Sequence, residues 1–134
     1  MKNRIIIAAA AGVAVFLMGF LPQFVKVNRL EQQLRQAQQE RSGSELSELV
    51  SLAYFQATQK NFGLATDTTS RFFDHAREMT NRAQDANSRK ALESLLASRD
   101  KTVAALAKGD AAAVTDLQEL FVKTRQVTGN PSRP

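Results

Sequence analysis

The chain has no cysteine and no tryptophan. Lack of cysteine excludes disulfides, thiolate zinc sites and cysteine nucleophiles, and leaves the redox compartment undecided. Proline occurs only at positions 22, 131 and 134, so nothing between Gln23 and Asn130 forbids helix. Val and Ile are scarce after residue 30, which argues against a sheet. No G-x-S-x-G, H-E-x-x-H, P-loop or dinucleotide fingerprint occurs, so no familiar catalytic frame is offered. Dense basic blocks are absent too. The formal charge of +5 is spread thinly, with acids and bases alternating as in EMTNRAQDANSRKALE. A nucleic-acid binder would concentrate Lys and Arg with aromatics on one patch, and no nucleic-acid partner is expected. The 134 residues allow one modest domain beyond the apolar start.

What the chain does have is an opening run, Ile5–Leu21, without one polar side chain. As helix it covers about 25 Å, and counted through Phe24 and Val25 about 31 Å, enough for a hydrocarbon core of about 30 Å. Cleavage as a signal peptide after Ala14, through Gly12 and Ala14, would leave VFLMGFLPQF as an exposed apolar start. An uncleaved signal anchor is therefore expected over a cleaved signal or a soluble core helix. Lys2 and Arg4 precede the span; Lys26, Arg29, Arg35 and Arg41 follow it, so the positive-inside count does not decide orientation. The short dicationic tail favours an inside N-terminus. The expectation is a single pass of the cell inner membrane with the C-terminal module periplasmic or extracytoplasmic. Ala8, Gly12, Val15 and Gly19 fall on one helical stripe. Small residues there let another backbone approach in lipid; the plainer reading is that alanine is common in such spans.

KVNRLEQQLRQAQQERSGS follows. Val27, Leu30, Leu34 and Ala37 repeat at three and four residues, a short heptad-like seam that ends where Arg41 and Ser44 would continue it. This reads as a polar helical spacer, with weak homo-oligomerisation as the alternative. Ser42-Gly43-Ser44 is expected to break the helix, and Ser42 with Glu45 has capping-box spacing for a new start.

Four amphipathic segments follow. The first, near Ser44–Gln59, carries Leu46, Leu49, Val50, Leu52, Ala53 and Ala57. The second, near Phe62–Ala86, has the seam Phe62, Ala65, Thr69, Phe72, Ala76, Met79, Ala83 and Ala86, in which only Thr69 is polar. Asn87 or Ser88 is expected to cap the third, Arg89–Lys108. Gly109 closes it, Asp110 caps the fourth, Ala111–Val127, and Gly129-Asn130-Pro131 ends that one. Short connections make antiparallel hairpins. The turn segments KNFGLATDTTSRFF and KGDAAAVTDLQELF align without a gap, matching Phe72 with Leu120 and Phe73 with Phe121.

Leu49, Leu52 and Ala53, then Asn61-Phe62, then Ala65, resemble the spacing of a tetratricopeptide repeat (TPR). Ala53 and Ala65 would let two helices approach closely and Phe62 would plug the turn. The sequence departs from the repeat at Thr69, where an aromatic or Leu is usual, and at Phe72, where Ala is usual. The resemblance implies protein or peptide binding. The fold class is thus all-α: tail 1–4, transmembrane anchor 5–25, helical stalk 26–43, a module of two TPR-like hairpins 44–128, and a disordered tail 129–134.

Chemistry has little foothold. His75 is the only histidine, with Asp74 and Glu78 beside it on a helix surface, and a rim histidine fits better than a ligand because no motif places further ligands. Asp74–Arg77 and Glu78–Arg82 are expected ion pairs. Thr66, Thr68, Thr69 and Ser70 crowd one helical turn, as a polar helix contact or simply weak helix. Phe72 and Phe73 point about 100° apart on a helix, so either one contacts a partner or the core stripe is wide; Tyr54-Phe55 poses the same question. No cofactor, metal or catalytic residue is expected. The expected function is a non-catalytic, membrane-anchored interaction or scaffold module of the bacterial envelope, touching membrane lipid and other envelope proteins through Tyr54, Phe55, Phe62, Phe72 and Phe73. The alternative is a small single-span accessory subunit of a transport or electron-transfer complex, held by its span. A metal-binding or enzymatic bundle based on His75 is a third.

Overall fold

A computed structural model describes the backbone of residues 2–129 and the side chains of residues 14–15 and 26–129. Every regular element among them is helical: α1 (Lys2–Thr58), α2 (Phe62–Arg82), α3 (Ala86–Leu96), α4 (Arg99–Ala107) and α5 (Ala112–Thr128). The all-α class therefore holds. The chain divides into two compact units, Met1–Gln39 and Glu40–Pro134.

In the first unit, residues 26–39 are exposed along the whole segment. Glu31 and Arg35 form a loose pair at 3.9 Å, one helical turn apart, an exposed contact worth little. Most of the stretch expected to span a membrane lies outside the residues whose side chains are described. Among the described residues no helix is long and apolar enough to cross a membrane.

The second unit is a bundle around α2. Its buried set is Ala65, Thr68, Thr69, Phe72, Phe73, Ala76 and Thr80. At 100° per residue these positions cover an arc of about 140°, wider than one neighbour can hide. α2 packs on α3 and α4, and α5 packs on the same two helices. From the other side, α2 meets the end of α1 through Thr68, whose hydroxyl donates to Gln56 Oε1 at 2.7 Å. The ring closes where Ser47 and Thr128 share a hydroxyl hydrogen bond of 3.1 Å, tying α1 to the last turn of α5.

Ser42-Gly43-Ser44 does not break the helix; it lies inside α1. Gly43 is buried, and a Cβ there would meet the Thr128 side chain at 3.4 Å. The glycine serves a close approach. A mid-helix glycine costs about 1 kcal/mol, and burial of Leu46, Leu49, Val50, Ala53 and Ala57 on the same helix outweighs it. The expected third helix is likewise two pieces. At Ser98 both the backbone N–H and the hydroxyl donate to the Leu95 carbonyl, at 3.2 and 2.8 Å. A serine hydroxyl competing for backbone acceptors is a known cause of helix distortion.

Helix ends follow local chemistry. α2 stops at Arg82, and Arg89 donates to the Ala83 carbonyl at 2.9 Å. Asp85, and neither Asn87 nor Ser88, caps α3 by accepting the Ser88 N–H at 2.7 Å. Asp110, expected to cap a helix from Ala111, accepts the Ala112 N–H at 2.9 Å, but α5 begins at Ala112 and its N-cap position is Ala111, which has no side-chain cap bond. The C-termini of α1 and α4 share one design. Asn61 N–H bonds Gln56 O and Lys60 N–H bonds Ala57 O; Asp110 N–H bonds Ala105 O and Gly109 N–H bonds Leu106 O. Both are Schellman endings with a left-handed residue, Lys60 at φ 60° in one and Gly109 at φ 63° in the other.

Two stability predictions follow from these positions. Lys60→Gly raises the unfolding free energy by about 0.5–1 kcal/mol while Gly109→Ala lowers it by a similar amount, since only glycine enters the left-handed region freely. The Thr69 hydroxyl is buried without a hydrogen-bond partner, whereas Thr124 donates to the Leu120 carbonyl at 2.7 Å. Thr69→Val, a near-isosteric change, raises stability in urea by about 1 kcal/mol, and Thr124→Val does not.

Candidate functional site

The five aromatic candidates divide by position. Phe72 and Phe73 are both fully enclosed, edge to face with ring centroids 5.1 Å apart and planes at 80°. Adjacent rings can both be interior because α2 has neighbours on several sides. Neither is available for partner contact in this fold; the wide-stripe reading describes them. Tyr54 and Phe62 are half-buried and packed against the core. Phe62 lies under the α4–α5 turn, where a Cβ on Gly109 would meet its ring at 3.5 Å. Phe55 alone projects outward, 60% exposed, with Leu52, 43% exposed, one turn before it on the same helix. Of the four residues proposed to pack in the membrane, Val15 is exposed; Ala8, Gly12 and Gly19 lie outside the residues whose side chains are described.

His75 sits on the rim. Its Nε2 lies 3.2 Å from the Ser42 carbonyl and 3.9 Å from Glu45 Oε2. The Nε2–H tautomer donates to that carbonyl and fastens α2 to α1. Glu78 turns instead to Arg82, at 3.8 Å, and no Asp74–Arg77 pair forms among the described residues. No group of three or more potential metal ligands occurs among the described residues.

The hydroxyl groups are taken up by structure. Ser51, Thr66, Thr80 and Thr124 each donate to the carbonyl four residues earlier; of Ser47 and Thr128, one does so while the other donates its single proton across the Ser47–Thr128 contact. Within the crowded Thr66–Ser70 turn, Thr68 makes a polar contact between helices, Thr66 bonds its own helix and Thr69 is orphaned. A hydroxyl needs a positioned base to become a nucleophile. No hydroxyl is hydrogen-bonded to His75 among the described residues.

A shallow, solvent-open groove runs along α5, lined by Thr115, Gln118, Glu119, Val122, Lys123 and Gln126. These residues recur at three, four and seven positions in the sequence, but polar types at that spacing mark an ordinary solvated helix face. Its one large apolar group is Val122, and Glu119 and Lys123 pair across it at 2.7 Å. Such an open polar face does not enclose a small molecule.

The electrostatics are those of a solvated bundle. Lys101 of α4 donates to Asp116 of α5 at 2.6 Å. That hydrogen bond, with the carboxylate charge, raises the lysine above its ordinary value. Hydrogen bonding to Ser88 lowers the Asp85 carboxyl, and the bond to Lys123 lowers Glu119. No protein-family model matches this chain, and no curated protein or solved structure matches it either.

The pH response follows from these directions. The stabilisation from Asp85 and Glu119 is complete above the ordinary carboxylate range and is lost as pH falls through their lowered values. That from Lys101 is complete below the ordinary lysine value and is lost as pH rises through its raised one. The melting temperature is expected to be flat from neutral pH down to about pH 5 and to fall below it. Asp85→Asn is expected to flatten part of that acid limb.

Proposed function

We propose that this chain is a membrane-anchored protein-interaction or scaffold module of the bacterial cell envelope, working through contact and without catalysis. The observation that carries the reading is Phe55. In a bundle whose other described large aromatics are enclosed or half-buried, this ring is left in water beside Leu52. Exposed aromatic anchors with an apolar neighbour are what binding partners cover. The uninterrupted apolar sequence Ile5–Leu21 supports the anchor, with the span in the inner membrane and the bundle outside the cytoplasm. The tetratricopeptide-like reading is retained as packing: Ala53 and Ala65 are both fully buried, and Phe62 sits against the second turn. Because α5 is tied to α1 at Thr128, binding falls to the outer face of the first hairpin and not to an inner groove.

The test is purification of the full chain from its native membranes. The chain is expected in the membrane fraction, resistant to alkaline extraction, with a partner that comes along. Phe55→Ser and Leu52→Ser change stability by no more than about 0.5 kcal/mol and lose the partner. Phe72→Ala costs about 3–5 kcal/mol and unfolds the module. Recovery from the aqueous fraction with a first residue beyond Leu21 would end the anchor reading. Capture that ignores Phe55 but needs Ala8, Gly12 and Gly19 would favour an accessory subunit held by its span.

A further inference from the structure

The stalk segment of α1 keeps three large apolar side chains in solvent. Val27 is 56% exposed, Leu30 70% and Leu34 60%. Exposed single apolar residues are ordinary, but these three recur on one helical stripe, and Ala37, also exposed, continues it. The rest of the segment is polar: Asn28, Arg29, Gln32, Arg35, Gln36 and Gln39 occupy the outer faces. In heptad terms Val27 and Leu34 are a positions, and Leu30 and Ala37 are d positions. A β-branched a with a leucine d, as in Val27 and Leu30, is the combination that favours two parallel strands.

The flanking charges indicate the partner. Lys26 falls at g and Glu31 at the following e. In a parallel pair, g of one strand faces the next e of the other, so Lys26 meets Glu31 of a second copy, twice by symmetry. The next such pair is Gln33 with Gln38, which is neutral and able to hydrogen-bond. An antiparallel pair sets g against g and e against e: it matches Lys26 with Glu40 but brings the two Glu31 carboxylates together, and two chains anchored at the same end cannot adopt it. Glu31 is free to meet Lys26, since its contact with Arg35 is a loose 3.9 Å.

We propose that residues 26–40 pair with the same segment of a second copy of this chain as a parallel, in-register, two-stranded coiled coil. Two heptads associate weakly alone. The pairing therefore rests on the anchor reading above, which confines both copies to one surface and raises their effective concentration.

The absence of native cysteine allows a direct test. Single cysteines are placed in the full chain at Val27, Leu30 or Leu34 on the seam, and at Gln32 on the outer face, and mild oxidation is applied to membranes. Disulfide-linked dimer is expected at all three seam positions and only background at Gln32. Lys26→Glu in the Leu30→Cys chain reduces the dimer severalfold, and adding Glu31→Lys restores it. Equal linkage at Gln32 and Leu30, linkage at a single seam position, or none at all overturns the proposal. Fractionation of the same cells reads the anchor separately. A chain held in the membrane without the seam pattern defeats this inference alone, and a chain in the aqueous fraction defeats the anchor.

Discussion

Phe72 and Phe73 place two neighbouring rings in the interior of one small bundle. Consecutive helical residues point about 100° apart, so a helix lying on one partner would have to expose one of them. The pair is enclosed only because α2 has α3 and α4 on one side and the end of α1 on the other. Much else depends on that constraint. The small residues Ala65 and Ala76 on α2 and Ala53 and Ala57 on α1 are buried in the same interior. Thr68 and Thr80 line the margins of the same stripe, with their hydroxyls bonded to Gln56 and to the Ala76 carbonyl.

Polar groups in the bundle are consumed by architecture. Several serine and threonine hydroxyls bond their own helices, Thr68 bonds Gln56 of α1, His75 bonds the α1 backbone, and Asp85 and Asp110 accept N–H groups at helix starts. Lys101 and Asp116 join α4 to α5. A catalytic centre would instead gather a nucleophile, a base and an oriented third group around a cleft. Here the titratable side chains are dispersed, and the groove along α5 is an open helix face.

What is left over is exposed apolar surface that recurs or clusters, beyond the single exposed residues any protein carries. On the bundle it is Phe55 with Leu52, besides the single residues Leu64 and Val122; on the stalk it is the seam of Val27, Leu30 and Leu34. Both underlie the proposals made above, the first for a different protein and the second for another copy of the same chain. Each has a distinct chemistry. The former is an aromatic anchor on a rigid helix, and the latter a repeating stripe with complementary charges at its edge.

The sequence by itself determined that the chain is helical. Proline is absent between Gln23 and Asn130, Val and Ile are scarce after residue 30, and the apolar positions of α2 and α5 recur at three and four. It also located the turns at Lys60-Asn61 and Gly109-Asp110, because the chemistry of those endings is local. Tertiary structure decided the rest. Whether Ser42-Gly43-Ser44 ends a helix depended on Thr128, far along the chain, coming to lie against Gly43. Which aromatic stays in water depended on the number of helices around α2, and periodicity reports one face without counting its neighbours. Local signals act over a turn or two of helix, while burial is a property of everything packed around a residue.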